Sequence, residues 1–416
     1  MKSTDKFKKL TTKTLISAVD FSKSKHTGYF TTLTGEDNKP FQFANTRKGF
    51  EKYWHKLKKF KESHGLEDVI VSFESTGSYG VPFIHFLRGK GVKMLQVNPK
   101  HTKRAKEVSD NSPNKNDNKD PRVIADLILM RNGLTVNIAE GKIQALRNQI
   151  YNRETLIEDQ TRMVNRTEAF LAIYFPEFSR LFKSILGKTS LYILRHYPLP
   201  KDLLETDFDR LKQEFKKVSR GRVDKEKTRE IIEYAKESVG VTEGEESYRQ
   251  IMNNLLDQIE IIQAQKEQVE NEVSRLLKGI PSSRILLSVK GLGEISVAAI
   301  LSEIIDFKSF ETIGEIDKYA GFNLFEISSG EYQGKRKIAK RGRALLRKTL
   351  FFATLNMVKK GGIFHLQYQH HVNNKKMPKK KAVIALSRKL LRMIFAMVRD
   401  DKMFEWEKLK PIKQAA

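Results

Sequence analysis

The sequence predicts an α/β domain followed by an all-α remainder. Short apolar runs alternate with helical patterns up to residue 130, and heptad-spaced stretches follow at 143–171 and 252–276. The rest reads as helices joined by glycine-rich, cationic loops. The expected division is 1–133, 134–280 and 281–400, with a tail at 401–416.

Residues 14–20 (Thr-Leu-Ile-Ser-Ala-Val-Asp) read as a short buried strand ending on Asp20. Shorter strands are expected at 28–33 and 40–44, with turn signals at 35–39. Over 46–64, Phe50, Tyr53, Trp54, Leu57 and Phe60 recur at helical spacing with lysines opposite. Residues 68–74 form another strand ending on an acid, Glu74, followed by a turn at 75–80. A helix at 81–90, a strand at 92–97 and a loop lead to the stretch at 115–127. Three strands, helix, strand, helix, strand, helix suit an antiparallel meander joined by parallel strands through helical crossovers. That is the order of a ribonuclease-H-like α/β fold. Parallel neighbours one and four would bring Asp20 and Glu74 side by side, at the sheet edge where open α/β folds form their sites.

In Lys115-Asn-Asp-Asn-Lys-Asp-Pro-Arg-Val-Ile-Ala-Asp-Leu127, Asp117 and Asp120 stand three apart. Pro121 suits the first position of a helix running through Met130. Taken alone, Asp120 caps that helix and Asp117 is solvated loop. With Asp20 and Glu74 they make four carboxylates, which cannot all stay ionised together without cations between them. Oxygen ligands of this kind suit Mg²⁺ or Mn²⁺. Two such ions ~3.5–4 Å apart can activate a nucleophile and stabilise a leaving oxygen in phosphoryl transfer. Asp110 and Asp126 are nearby spares.

From 143 to 171 the positions Ile143, Leu146, Ile150, Arg153, Ile157, Gln160, Val164, Thr167 and Leu171 alternate three and four apart. Met252, Ile259, Lys266 and Val273 form a second series, and Leu255, Ile262, Val269 and Leu276 its companion. These are long coiled-coil-like arms, pairing with each other or with a second subunit; two ordinary bundle helices are the alternative. Residues 179–247 read as a helical insert with no evident chemistry.

Gly291-Leu-Gly293 precedes an amphipathic helix and resembles the hairpin of a helix-hairpin-helix, whose N–H groups meet phosphates; a plain turn reads equally well. Ser328-Ser-Gly330 is followed by a cationic run holding Lys335, Arg336, Lys337, Lys340, Arg341 and Arg343. Such cations can stabilise charge on a phosphoryl group under attack, or form a nonspecific nucleic-acid patch beside a surface turn. A buried helix at 345–358, a basic loop at 375–381 and a last amphipathic helix at 382–398 complete the reading. His365, His370 and His371 suit surface or phosphate contacts better than a metal, with no cysteine or nearby acid to join them.

The 77 Lys and Arg against 50 Asp and Glu give a net charge of +27, which calls for a polyanion partner, nucleic acid first. No apolar run approaches the ~18 residues of a spanning helix, so no membrane is expected. The start lacks a signal-peptide core, and the absence of cysteine excludes thiolate zinc sites and a cysteine nucleophile. A cytoplasmic, nucleoid-associated protein is expected.

These motifs in their order resemble the Piv-type DEDD transposases of insertion sequences, the bridge-RNA-guided recombinases. Asp20, Glu74 of Glu-Ser-Thr-Gly-Ser-Tyr-Gly80, and Asp117 and Asp120 match the acids of that family's RuvC-like domain. Pro121 stands where alanine is usual. Val289-Lys-Gly-Leu-Gly, Tyr319-Ala-Gly, Ser328-Ser-Gly330 and Lys340-Arg-Gly-Arg-Ala-Leu-Leu-Arg347 match its C-terminal transposase domain. The resemblance implies that Ser329 is a nucleophile, with Ser328 as rival, acting with metal-bound acids to excise and insert a mobile element. It also implies a structured noncoding guide RNA pairing with donor and target DNA. A homo-oligomer, dimer or tetramer, would let domains of different subunits complete one site. The rivals are a RuvC-like nuclease or junction resolvase using metal-activated water, and a nonenzymatic nucleic-acid scaffold.

Overall fold

The computed structural model describes residues 10–74, 77–110, 119–326, 328–329, 332–333 and 337–405, without the side chains of 108–110, 328–329 and 332–333. Asp117, Lys335, Arg336 and the tail from 406 lie outside the described residues. Two compact units result: Met1–Ile138 with Lys308–Glu315, and Ala139–Phe307 with Ile316–Ala416.

The first unit is a mixed α/β sheet structure. Its elements are β1 (Thr14–Asp20), β2 (Lys25–Thr31), β3 (Phe41–Ala44), α1 (Arg47–Ser63), β4 (Asp68–Glu74), α2 (Val81–Gly89), β5 (Lys93–Val97), α3 (Pro99–Asp110), α4 (Asp120–Leu129) and β6 (Leu134–Thr135). The sheet order is β3-β2-β1-β4-β5-β6. β1 to β3 form the antiparallel meander, and β4 and β5 join it in parallel. β1 is buried on both faces, which is why it reads as an unbroken apolar run. Leu15 and Val19 pack with Phe30, Tyr53, Val71 and Phe83 on one face. Ile16 and Ala18 meet Val123, Ile124 and Ile128 of α4 on the other.

β2 begins three residues before the expected Gly28 and ends two before Leu33, and two further elements were not expected at all. The loop expected after β5 is mostly the helix α3, started by Asn98, whose side chain accepts from Lys100 N at 2.9 Å, with Pro99 as first helical residue. β6, two residues long, adds an antiparallel edge that is too short for any periodicity to announce.

The second unit is mostly helical. α5 (Gly141–Tyr174) and α11 (Glu245–Leu277) are its two long helices, packed along each other. Arg153 Nε donates to Glu270 Oε1 at 2.8 Å near one end, and the rings of Tyr174 and Tyr248 stack 4.2 Å apart at the other, so the pair runs antiparallel. Met252, Leu255, Ile259, Val269, Val273 and Leu276, all on the heptad series, are buried. Between the arms lie α6 (Phe178–Leu181), α7 (Lys188–His196), α8 (Pro200–Leu204), α9 (Phe208–Ser219) and α10 (Lys225–Lys236). Their apolar faces share one core with Leu171, Tyr248, Met252 and Leu256 of the arms.

Beyond the arms come α12 (Pro281–Leu287), α13 (Glu294–Ile304) and α14 (Ile313–Ala320). An excursion of two-residue strands follows: β7 (Leu324–Phe325), β8 (Ser328–Ser329), β9 (Tyr332–Gln333) and β10 (Lys337–Ile338). The chain closes with α15 (Ala344–Met357), α16 (His365–Gln369), a π-turn at His370–Asn374 and α17 (Lys379–Arg399). Lys379, Lys380 and Lys381, expected in a loop, open α17 instead. No described helix is long and apolar enough to cross a membrane.

Candidate active site

In the first unit, β1 and β4 pair in parallel up to Val19 opposite Phe73, so Asp20 and Glu74 are the next residues on adjacent strands. Phe21 fixes the chain just after Asp20: its ring lies 5.2 Å from Phe73 and 5.1 Å from His26. Gly80 gives it room, since a Cβ there would overlap the Phe21 ring. Both acids are half-buried.

Asp120 is the first residue of α4, but the helix has no side-chain cap. The carboxylate is buried instead, 5% exposed. Lys106 Nζ of α3 lies 2.6 Å from its Oδ1, yet off-angle, so that oxygen has a counter-charge but no hydrogen bond. Asp126 lies on the solvent side of α4, where partial desolvation of its carboxyl raises the pKa against the opposing pull of Arg122. All-oxygen donors suit a hard divalent cation. Among the described residues, however, no three His, Asp or Glu converge closely enough to share an ion. Asp117, the fourth acid, lies outside them.

In the second unit the excursion bearing Ser329 stands on a pinched neck. Lys340 N donates to Gly321 O at 3.1 Å, Ala339 N to Asn323 O at 2.9 Å, and Arg343 N to Tyr319 O at 3.0 Å. Gly321 (φ 76°) and Gly342 (φ 153°) make the approach possible, and a Cβ on Gly342 would overlap Tyr319 O. Above the neck, β7 pairs with β10, and β8 with β9. Ser329 is the backbone partner of Tyr332 in the last described pair of that hairpin.

The predicted cations divide. Lys337, Lys340 and Arg341 are exposed. Arg343 turns into the fold: its Nε donates to Tyr319 Oη at 3.0 Å and lies 3.9 Å from Glu303 Oε2. Burial lowers the Arg343 pKa, but Tyr319 and Glu303 more than restore it. Glu303 itself is 1% exposed and accepts from Tyr151 Oη at 2.8 Å, with Arg147 Nη1 3.6 Å away. A buried carboxylate thus ties the neck to arm α5. Gly291 and Gly293 are exposed in the turn between α12 and α13, with Gly293 at the N-cap of α13. Glu294 follows at the helix start. His365, His370 and His371 belong to α16 and the π-turn.

Sequence reasoning missed Lys106 and Glu303. Lys106 has no signal beyond belonging to a basic stretch, because its role depends on how α3 meets α4. Glu303 carried a weak signal, as an acid in the last turn of a largely apolar helix.

Residues 18–176 match a family model described as a transposase, of the DEDD type found in IS110. Residues 283–369 match a second, described as the transposase IS116/IS110/IS902 family. The first spans β1 to arm α5, and the second spans α12 to α16. Two insertion-element proteins are similar along most of the chain. An uncharacterized 43.6 kDa protein of insertion element IS110 from Streptomyces coelicolor is 23% identical over 93% of this chain and 94% of its own length. An uncharacterized 44.8 kDa protein of insertion element IS116 from Streptomyces clavuligerus is 23% identical over 81% and 84%. The chain carries both transposase domains of the IS110/IS116 family, and it is a DNA transposase.

Proposed function

We propose that the transposase cuts and rejoins DNA through a covalent bond between Ser329 and a strand phosphate, aided by carboxylates that hold Mg²⁺ or Mn²⁺. The observation that carries the serine reading is the position of Ser329 at the end of a small hairpin raised on a closed neck. A hydroxyl at that end can be presented to a strand while the neck fixes its base. The flanking Lys337, Lys340 and Arg341, with Lys335 and Arg336, would meet the phosphate charge. A serine hydroxyl is a weak nucleophile near neutral pH and needs a base, a metal or such charge nearby.

Asp20, Glu74, Asp117 and Asp120 would hold the divalent cation. When bound, it supplies Lewis-acid stabilisation of charge on the phosphate oxygens. The strand order, with β1 and β4 adjacent and parallel, supports a ribonuclease-H-like, RuvC-like sheet as the scaffold of these acids. A structured noncoding RNA as guide, and a homo-oligomer as the working form, belong to the same reading. Gly291 and Gly293 would offer backbone N–H groups to phosphates.

Ser329→Ala should lose strand exchange and any protein–DNA adduct while keeping DNA binding. Denaturing gels with labelled DNA detect the adduct, and peptide mass spectrometry locates it. An adduct that survives in Ser329→Ala but disappears in Ser328→Ala moves the nucleophile by one residue. No adduct in the unmodified protein returns it to the water-using nucleases.

A further inference from the structure

At the foot of the Ser329 excursion, an open groove of about 340 Å³ has a floor of Phe322, Ile338, Phe351 and Ile384. Its rim carries Lys340, Arg347, Lys348 and Lys380, and among the described residues no acid lines it. The volume is in the range of sites that take small organic groups, ~300–1,000 Å³, and far too small for a duplex. A second cavity of this unit, beside the insert, has Glu168 in its lining and, among the described residues, Lys183 as its cation. Apolar floor and cationic rim therefore coincide at one of these two places. Ile338 and Lys340 lie on the return leg of the excursion, so the groove and the serine share one hydrogen-bonded neck. Arg347 is anchored by Nη1 to Ala320 O at 2.8 Å, and its Nε and Nη2 have no partner among the described residues. Lys380 is exposed at the start of α17, and Lys348 is ion-paired with Glu154 at the surface.

We propose that this groove receives one unpaired DNA base, turned out of its stack next to the strand held by the serine hairpin, with the flanking phosphates on Lys340, Lys380 and Arg347. An unpaired base offers the flat apolar face and adjacent negative charge that the groove complements. A paired base hides that face within the duplex. The occupant is DNA because the chain is a DNA transposase and the groove's own wall continues into the hairpin. The inference deepens the proposed reading by naming the state of the substrate and rests on it for the DNA strand, but not for the covalent bond.

The test compares a labelled DNA duplex with the same duplex bearing one bulged 2-aminopurine, using the full chain and fluorescence anisotropy. The unmodified protein should bind the bulged DNA more tightly and change the 2-aminopurine emission. Phe351→Leu keeps the apolar packing but removes the stacking ring. Lys380→Gln alters only an exposed side chain. Each should weaken bulged-DNA binding roughly tenfold, leave duplex binding unchanged, and, for Phe351→Leu, restore the free emission. Equal binding of the two DNAs overturns the proposal. So does an equal loss on both in the variants, which makes the groove general polyanion surface, or tighter binding of a bulged RNA of the same sequence. Ser329→Ala serves as the separate control: it should retain the bulge preference whether or not the unmodified protein forms an adduct.

Discussion

Asp120 illustrates how much one residue's surroundings decide. An aspartate before Pro-Arg-Val-Ile looks like a cap, yet the helix start is uncapped and the carboxylate is buried against Lys106. Under the proposed reading, a divalent cation has to compete with that ammonium group. Lys106→Gln should therefore raise Mn²⁺ affinity, by about 1 kcal/mol or roughly fivefold, as read by calorimetric titration. An unchanged affinity would separate Asp120 from the cation. A second residue-scale test is His26, fully buried among Phe21, Phe43, Phe50 and Phe83. Burial lowers its pKa below the ordinary 6.5, although Asn45 opposes this. The folded state thus resists protonating it while the unfolded chain does not. The stability it contributes is full above pH 6.5 and drains away as pH falls from there towards the depressed folded value. His26→Phe should flatten the acid side of the stability curve in thermal melts between those limits. A slope identical to the parent's would rule His26 out as its source.

At the scale of elements, the neck under the serine hairpin depends on backbone that only glycine adopts cheaply. Gly342→Ala must either open the contact with Tyr319 or strain the chain at φ 153°. It should cost about 1–3 kcal/mol, seen as a lower melting temperature, and should reduce strand exchange more than DNA binding. The arms give a different lesson. Their heptads were readable, but whether they pair within or between chains was not, because a seam specifies a partner helix and not its covalent origin. Leu255 is a buried position of the α11 heptad series, so Leu255→Asp should cost about 2–5 kcal/mol of folding stability. Unchanged melting of that variant would contradict the pairing. The bounds of β1 and β4 were legible since a strand covered on both faces leaves an apolar run ended by its acid. α3 was not, because Lys-His-Thr-Lys-Arg-Ala-Lys carries almost no apolar stripe and the helix is specified by Asn98 and Pro99 at its start. The strands β7 to β10 escaped for another reason: two residues make no period.

For the whole molecule, charge and topology were the most legible properties, and the composition of the candidate site the least. The adjacency of Asp20 and Glu74 follows from strand order, whereas Lys106, Glu303 and the groove under the hairpin exist only once distant helices pack. The +27 net charge makes a firm prediction about partners. Contacts to six to ten phosphates would lose roughly 10³–10⁵ in affinity between 50 and 200 mM salt for any polyanion alike. If that were the whole of binding, RNA of every shape would compete equally. The proposed guide mechanism requires more, because a guide must survive among abundant cellular RNA at physiological salt. The selective part should therefore persist where the electrostatic part has faded. Competition at rising salt separates them: under the proposed reading a structured noncoding guide RNA should hold its advantage over unrelated structured RNA as total affinity falls. Should the two curves collapse onto each other at physiological salt, the RNA would be bound as a polyanion only, and the transposase would have to find its DNA without a guide.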